Sequence, residues 1–168
     1  HDVSSYITGS GTFGIGKSNP TATLDIVHYD ATRKLASFNN ASATEVFSIE
    51  NNGTVKIAGQ AYTELHTVTS AASITPDWNN SNVQTFELTS ASTTIVNPSN
   101  IKPGATYILI LKQDSTGGRT VSFGTQYNFP ADTAPILTTT ANKADVITLV
   151  AYSSTVLMCT SVLDFTTT

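Results

Sequence analysis

Tyr107-Ile108-Leu109-Ile110-Leu111 is apolar at every position. Pro103-Gly104 bounds the run on one side and Gln113-Asp114 on the other, which marks it as a strand between turns. An antiparallel strand with one wet face alternates apolar and polar residues. Here residues of both parities are apolar, so both faces of this strand need cover. Val146–Tyr152 is a second nearly continuous apolar run. A domain of this size has few layers to supply that cover, and a second copy of the chain is one candidate. Past the first run, Gly117-Gly118 supplies two positions that tolerate φ > 0, and Thr120, Val121 and Phe123 resume a β-prone stretch. The stretch Thr106–Phe123 is therefore expected to be a hairpin.

The 168 residues suffice for one ordinary domain or two small ones. Further candidate strands are Val83–Leu88, Thr93–Val96 and Thr155–Leu163, separated by Asn97-Pro98, Pro130, Pro135 and Ser153-Ser154. Many short strands with regular turns indicate a sandwich or jelly roll. Upstream, the strands are shorter. Leu35–Asn40 and Val46–Asn52 form a near-repeat, and Asn51-Asn52-Gly53 before Thr54–Ile57 is a strong hairpin signal. Such hairpins are marginal alone in water and gain stability when copies stack or chains wrap together. The expected organisation is a β-repeat shaft over residues 1–60, a connector over 61–82 and a β-sandwich head over 83–168. The chain opens on His1-Asp2 with no initiator Met or signal peptide, which suggests a piece of something longer.

Composition removes several function classes. Only 12% of residues are charged, Thr is the commonest residue, and the net charge is −4. No basic patch is present, so nucleic acid is not an expected partner. No apolar run approaches the roughly 18 residues of a membrane span, so membrane insertion is not expected. Cys159 is the only cysteine; with Val156, Leu157 and Met158 beside it, it reads as a buried thiol. His1, His28 and His66 are scattered, with no metal-ligand pair. Gly9, Gly11, Gly14 and Gly16 recur at short intervals, but Asn19-Pro20 follows where a nucleotide loop needs a helix. No cofactor, metal or catalytic constellation is expected. Asp114 and Arg119 flank the Gly-Gly turn and suit a cross-turn ion pair or a contact with a neighbouring loop.

Two loops combine aromatics with amides. Asp77–Asn82 offers Trp78, Asn79 and Asn80; Gly124–Phe129 offers Gln126, Tyr127 and Asn128. Aromatic faces stack on sugar C–H surfaces and amides pair with hydroxyls, so these six residues are the candidate receptor contacts. The competing reading places Trp78 as a core or junction anchor and Tyr127 as a plug of the sandwich, since large aromatics are mostly buried.

A resemblance joins these observations. Gly14-Ile15-Gly16, Asn19-Pro20 and Thr23-Leu24-Asp25-Ile26 resemble a segment of bacteriophage tail-fibre shafts, as do Phe47-Ser48-Ile49 and Asn52-Gly53-Thr54-Val55. Thr94–Pro98, Gln113–Gly124, Ala134–Ala141 and Asp145–Tyr152 resemble the tip domain of such fibres; Ser115 departs from it where the pattern has Gly. The resemblance implies a homotrimer at the distal end of a virion tail fibre, assembled in the host cytoplasm. It also implies a tip that contacts a host-surface glycan or protein. A structural trimerisation cap and a polysaccharide depolymerase are the alternatives.

Overall fold

A computed structural model of the chain describes residues 5–7, 11, 13–15, 19–27 and 32–167. His1, His28, Gly9 and Gly16 lie outside these residues. The chain is nearly all β, as its composition and turn spacing led us to expect, and it divides into two compact units at Tyr62/Thr63.

In the first unit, β1 (Ser5–Ile7) pairs antiparallel with β2 (Phe13–Ile15), which pairs parallel with β3 (Leu24–Ile26). A second sheet joins β4 (Ala36–Asn39), β5 (Glu45–Ile49) and β6 (Val55–Ile57), all antiparallel. β5 and β6 form the hairpin signalled by Asn51-Asn52-Gly53, closed by the Glu50 N–H donating to the Thr54 carbonyl at 2.8 Å. Between β4 and β5 the register shifts at Phe38/Asn39, with Val46 as the extra residue. A bulge of this kind re-aims a side chain. Here it moves Glu45 to the face opposite Phe47.

The second unit holds two sheets around one core. Six strands lie in the order β13-β15-β14-β11-β9-β7 and three in the order β12-β10-β8. Their ranges are β7 (His66–Thr67), β8 (Ser73–Ile74), β9 (Val83–Leu88), β10 (Ser92–Ile95), β11 (Thr106–Gln113), β12 (Thr120–Phe123), β13 (Tyr127–Asn128), β14 (Lys143–Ser153) and β15 (Val156–Thr166). The segment read from sequence as a connector thus supplies β7 and β8 to these sheets.

From β7 to β13 the chain crosses to the other sheet at every connection. Successive strands of one sheet are therefore parallel: β7 with β9, β9 with β11, β8 with β10, and β10 with β12. The antiparallel β14–β15 pair lies between β11 and β13. The Greek keys of a jelly roll wind differently, so the sandwich departs from the expected jelly-roll path. The Gly117-Gly118 turn departs with it. β12 pairs with β10, not with β11, so this turn is a corner between sheets and not a hairpin.

The core explains the apolar runs. Tyr107, Leu109 and Leu111 of β11, Ile147 and Leu149 of β14, and Leu157 of β15 are buried, against Ile74 and Ile95 of the smaller sheet. Full burial of such a Leu or Ile side chain stabilises the fold by about 1.5–3 kcal/mol. The other parity of the six-stranded sheet has no cover from the described residues of its own unit. Its cross-strand rows run Thr85–Ile110–Val146–Val162, Val83–Ile108–Thr148–Thr160 and Thr106–Val150–Met158. Val150, Met158 and Val162 are exposed there.

Candidate functional site

The turn Asn97–Asn100 organises one end of the second unit. On one side it holds the Asp77–Asn82 loop. Asp77 forms a parallel bridge with Ser99, the Trp78 N–H donates to the Ser99 carbonyl at 3.2 Å, and the Ser99 N–H donates to the Pro76 carbonyl at 2.9 Å. Asn100 Nδ2 donates to Asp77 Oδ1 at 2.6 Å. That bond, with the Asn79 N–H next, holds the Asp77 carboxyl below its ordinary range. On the other side the turn holds the Gly124–Phe129 loop. Asn97 Oδ1 accepts from the Gln126 N–H at 2.9 Å, and Asn97 Nδ2 donates to Thr125 Oγ1 at 3.1 Å. The approach is close: a Cβ at Gly124 would lie 2.7 Å from the Asn97 backbone nitrogen, so the position is confined to glycine.

Both loops nominated from sequence therefore flank one turn. The exposed polar side chains there are Asn79, Asn80, Asn82, Ser99, Asn100 and Thr125, while Gln126 is half-buried; Asn128 lies instead on the outer face of the larger sheet, paired with Met158. Ser99 and Asn100 were not among the sequence candidates. The signal for them was the Asn-Pro-Ser-Asn cluster, which reads as a turn but says nothing about its neighbours.

The two aromatics sit elsewhere. Trp78 is 5% exposed and stacks on Tyr107, with ring centroids 4.2 Å apart and planes 15° apart. Tyr127 is 7% exposed, tilts against Phe123, and donates its hydroxyl to the Val96 carbonyl at 3.1 Å. Burial raises the pKa of that phenol far above its ordinary value. Neither ring presents a face on which a sugar could stack, so the platform role proposed for Trp78 and Tyr127 is corrected to a core role. The cause is local: inward-facing positions of short strands and turns capture the largest apolar surfaces available.

A second polar cluster fixes the corner after β11. Gln113 is buried; its Nε2 donates to the Arg119 and Thr138 carbonyls and its Oε1 accepts from the Arg119 N–H, each at 2.9 Å. Asp114 accepts from the Gly117 N–H at 2.8 Å and pairs with Arg119 at 2.6 Å. The ion pair expected across the Gly-Gly turn is thus present, and Arg119 holds the Asp114 carboxyl below its ordinary range. Asp145 is buried, accepting from the Thr138 and Asp164 N–H groups at 2.7 and 3.0 Å. Cys159 is buried as read, and its thiol is pushed up to about 12 by burial. Among the described residues, no cluster of three or more His, Cys, Asp or Glu is arranged to hold a metal ion. On the outer face of the larger sheet, Phe129, Pro130, Thr148, Val150, Met158 and Thr160 border a groove of about 480 Å³.

Compared with known families, residues 74–153 match the one described as "Putative phage tail fibre C-terminal domain". No curated protein and no solved structure matches the chain. The match begins at β8 and ends at the last residue of β14, so it spans the Asn97–Asn100 turn, the Gln113–Arg119 corner and most of the core. Over residues 74–153 the chain is a phage tail fibre C-terminal region, a part of the virion's tail.

Proposed function

We propose that this chain is a non-enzymatic receptor-binding tip, at the distal end of a phage tail fibre, which acts as a homotrimer. It recognises a host bacterial surface receptor rich in hydroxyl groups, a glycan first among them. The observation that carries the receptor reading is the gathering of Asn79, Asn80, Ser99 and Asn100 around one anchored turn. Loops on a rigid scaffold can vary without disturbing the core, and amides and hydroxyls match a sugar's donors and acceptors. Asp77, Asp114 and Asp145 are each engaged in holding a turn or a strand end, which favours binding over carboxylate catalysis.

The homotrimer is supported by the apolar outer face of the larger sheet. Four strands about 4.8 Å apart, with three cross-strand rows spanning about six residues at about 3.4 Å each, present roughly 400 Å², half of the ~800 Å² a stable interface takes from each partner. Ile108, Ile110, Val146 and Val150, from the two apolar runs for which a second copy is a candidate cover, all lie on this face.

A trimerisation cap without receptor contact is the second reading, and the burial of Trp78 and Tyr127 favours it, since each loop's aromatic serves the core. One experiment separates the two. The purified chain is added to the phage's host cells, and its binding and its block of phage adsorption are measured for wild type and for Asn79→Ala/Asn80→Ala. The receptor reading expects the variant to lose at least tenfold in binding at unchanged melting temperature. Wild-type protein that decorates no cells identifies the cap, and release of sugar from the cell surface identifies a depolymerase.

A further inference from the structure

The outer face of the smaller sheet β12-β10-β8 is unlike that of the larger one. Ile74, Thr93 and Ile95 point into the core and are buried, and Val121 and Phe123 pack against it. The alternate positions of the same strands are Ser73, Ser92, Thr94, Thr120 and Ser122, and all five are exposed. Register places Ser73, Thr94 and Ser122 in one cross-strand row and Ser92 and Thr120 in another. Thr94 Oγ1 and Ser122 Oγ share a hydrogen bond at 3.1 Å. The face thus carries a hydroxyl at each of these positions, and neither a charge nor an aromatic ring. It also runs into the Asn97–Asn100 turn without a break. The Val96 N–H donates to the Ile74 carbonyl at 2.8 Å and the Gly124 N–H to the Ile95 carbonyl at 2.7 Å. The parallel bridge of Asp77 with Ser99 then continues the pairing of β8 with β10. Asn97 ties to Thr125 there, so the exposed Thr125, Ser99 and Asn100 lie beyond the end of the hydroxyl rows.

We propose that this hydroxyl face and the Asn97–Asn100 turn form one continuous binding surface for an extended, uncharged polysaccharide. The inference rests on the receptor reading above and names its ligand: a chain of neutral sugars several units long. Chemistry selects it. A sheet face that has only to stay wet ordinarily carries Lys and Glu, and this one carries neither. A protein partner takes hold through Trp, Tyr or Arg anchors, and none stands among these residues. Nucleic acids and acidic polysaccharides need cations to balance their charge, and the face supplies none. A neutral sugar chain presents donors and acceptors together, and each Ser or Thr hydroxyl can answer as either. Spacing favours a chain over a single sugar. Hydroxyls on one strand recur about every 6.6 Å and those on neighbouring strands about every 4.8 Å. One such bond replaces a bond to water at little net gain. Affinity therefore requires many at once, and a chain laid along the rows makes them together.

The test uses the full chain and surface polysaccharide purified from the phage's host, split by ion exchange into neutral and acidic fractions. Each fraction, and the monosaccharides that acid releases from it, competes with host cells for the chain. The neutral polymer is expected to block cell binding at a sugar concentration at least tenfold below that of its own monosaccharides, and the acidic fraction is expected not to block it. Thr94→Val/Thr120→Val/Ser122→Ala removes three hydroxyls and nearly keeps their shape. It should weaken binding of the neutral polymer at least tenfold at unchanged melting temperature. Should it melt lower, Thr94→Val alone is read in its place, with a loss of at least threefold. Thr94→Ser/Thr120→Ser, which keeps every hydroxyl, should bind as the wild type does. Three results overturn the proposal while the receptor reading stands: block by the acidic fraction alone, equal block by polymer and monosaccharides, or wild-type binding by the hydroxyl-removing substitutions when Asn79→Ala/Asn80→Ala has lost it. Wild-type chain that binds no host cells overturns both.

Discussion

Tyr127 packs its ring against Phe123 in the core and spends its hydroxyl on the Val96 carbonyl. Tyr127→Ala should therefore cost about 3–5 kcal/mol in denaturant unfolding, and Tyr127→Phe about 1 kcal/mol. Cell binding measured on Tyr127→Ala would report unfolding, which is why the exposed amides Asn79 and Asn80 are the informative positions. Gly117 is the second sensitive residue. Its φ is +70°, and a Cβ there would lie 2.7 Å from both the Ala141 nitrogen and the Thr139 carbonyl oxygen. Those neighbours are backbone and cannot swing aside. Gly117→Ala should lower stability by about 1–3 kcal/mol, read as a fall in melting temperature. Some of this was legible in the residues and some was not. Gly117 was visible as a turn former and Cys159 as a buried thiol, because each depends on immediate neighbours. The burial of Trp78 was weighed but not fixed, because it depends on Tyr107, which lies far along the chain.

At the scale of elements, local signals served where pairing was local. The Asn51-Asn52-Gly53 hairpin lies where its turn chemistry put it, and Val83–Leu88 is a strand with the bounds read from sequence. Gly117-Gly118 misled because the same turn chemistry suits a corner between sheets. What sends β12 to β10 is Gln113, whose buried amide holds the corner through the Arg119 backbone and also meets the Thr138 carbonyl. No spacing rule marks a glutamine for that role. The polar face of β4–β5–β6 gives a pH prediction at this scale. Lys34, then Ser37 and Lys56, hold the Glu45 carboxyl down to about 2. A depressed carboxylate stabilises the folded state fully above its ordinary value near 4.5 and loses that contribution as pH falls through its folded value. Protection factors of the β5 amides, which are exchange rates corrected for the intrinsic pH dependence, should therefore fall between about pH 4.5 and about pH 2. Glu45→Gln should remove that part of the pH dependence, and an unchanged profile in the variant would contradict the assignment.

At the scale of the whole molecule, two apolar surfaces lack cover from the described residues of their own unit: the outer face of the larger sheet and the apolar face of β4–β5–β6. The doubly apolar runs Tyr107–Leu111 and Val146–Tyr152 announced the first surface, since two parities of apolar residues cannot both point into one core. The second was hidden by the bulge at Val46, which breaks the alternation that periodicity relies on. Soluble proteins rarely leave such faces open, and the proposed assembly from identical chains would close them. Light scattering on the purified chain at micromolar concentration tests this most directly. The expected result is a mass three times the 17.7 kDa of one chain, falling toward one chain when Ile110→Asp and Val146→Asp charge the outer face. A wild-type mass of 17.7 kDa, with both faces open to solvent, would contradict it.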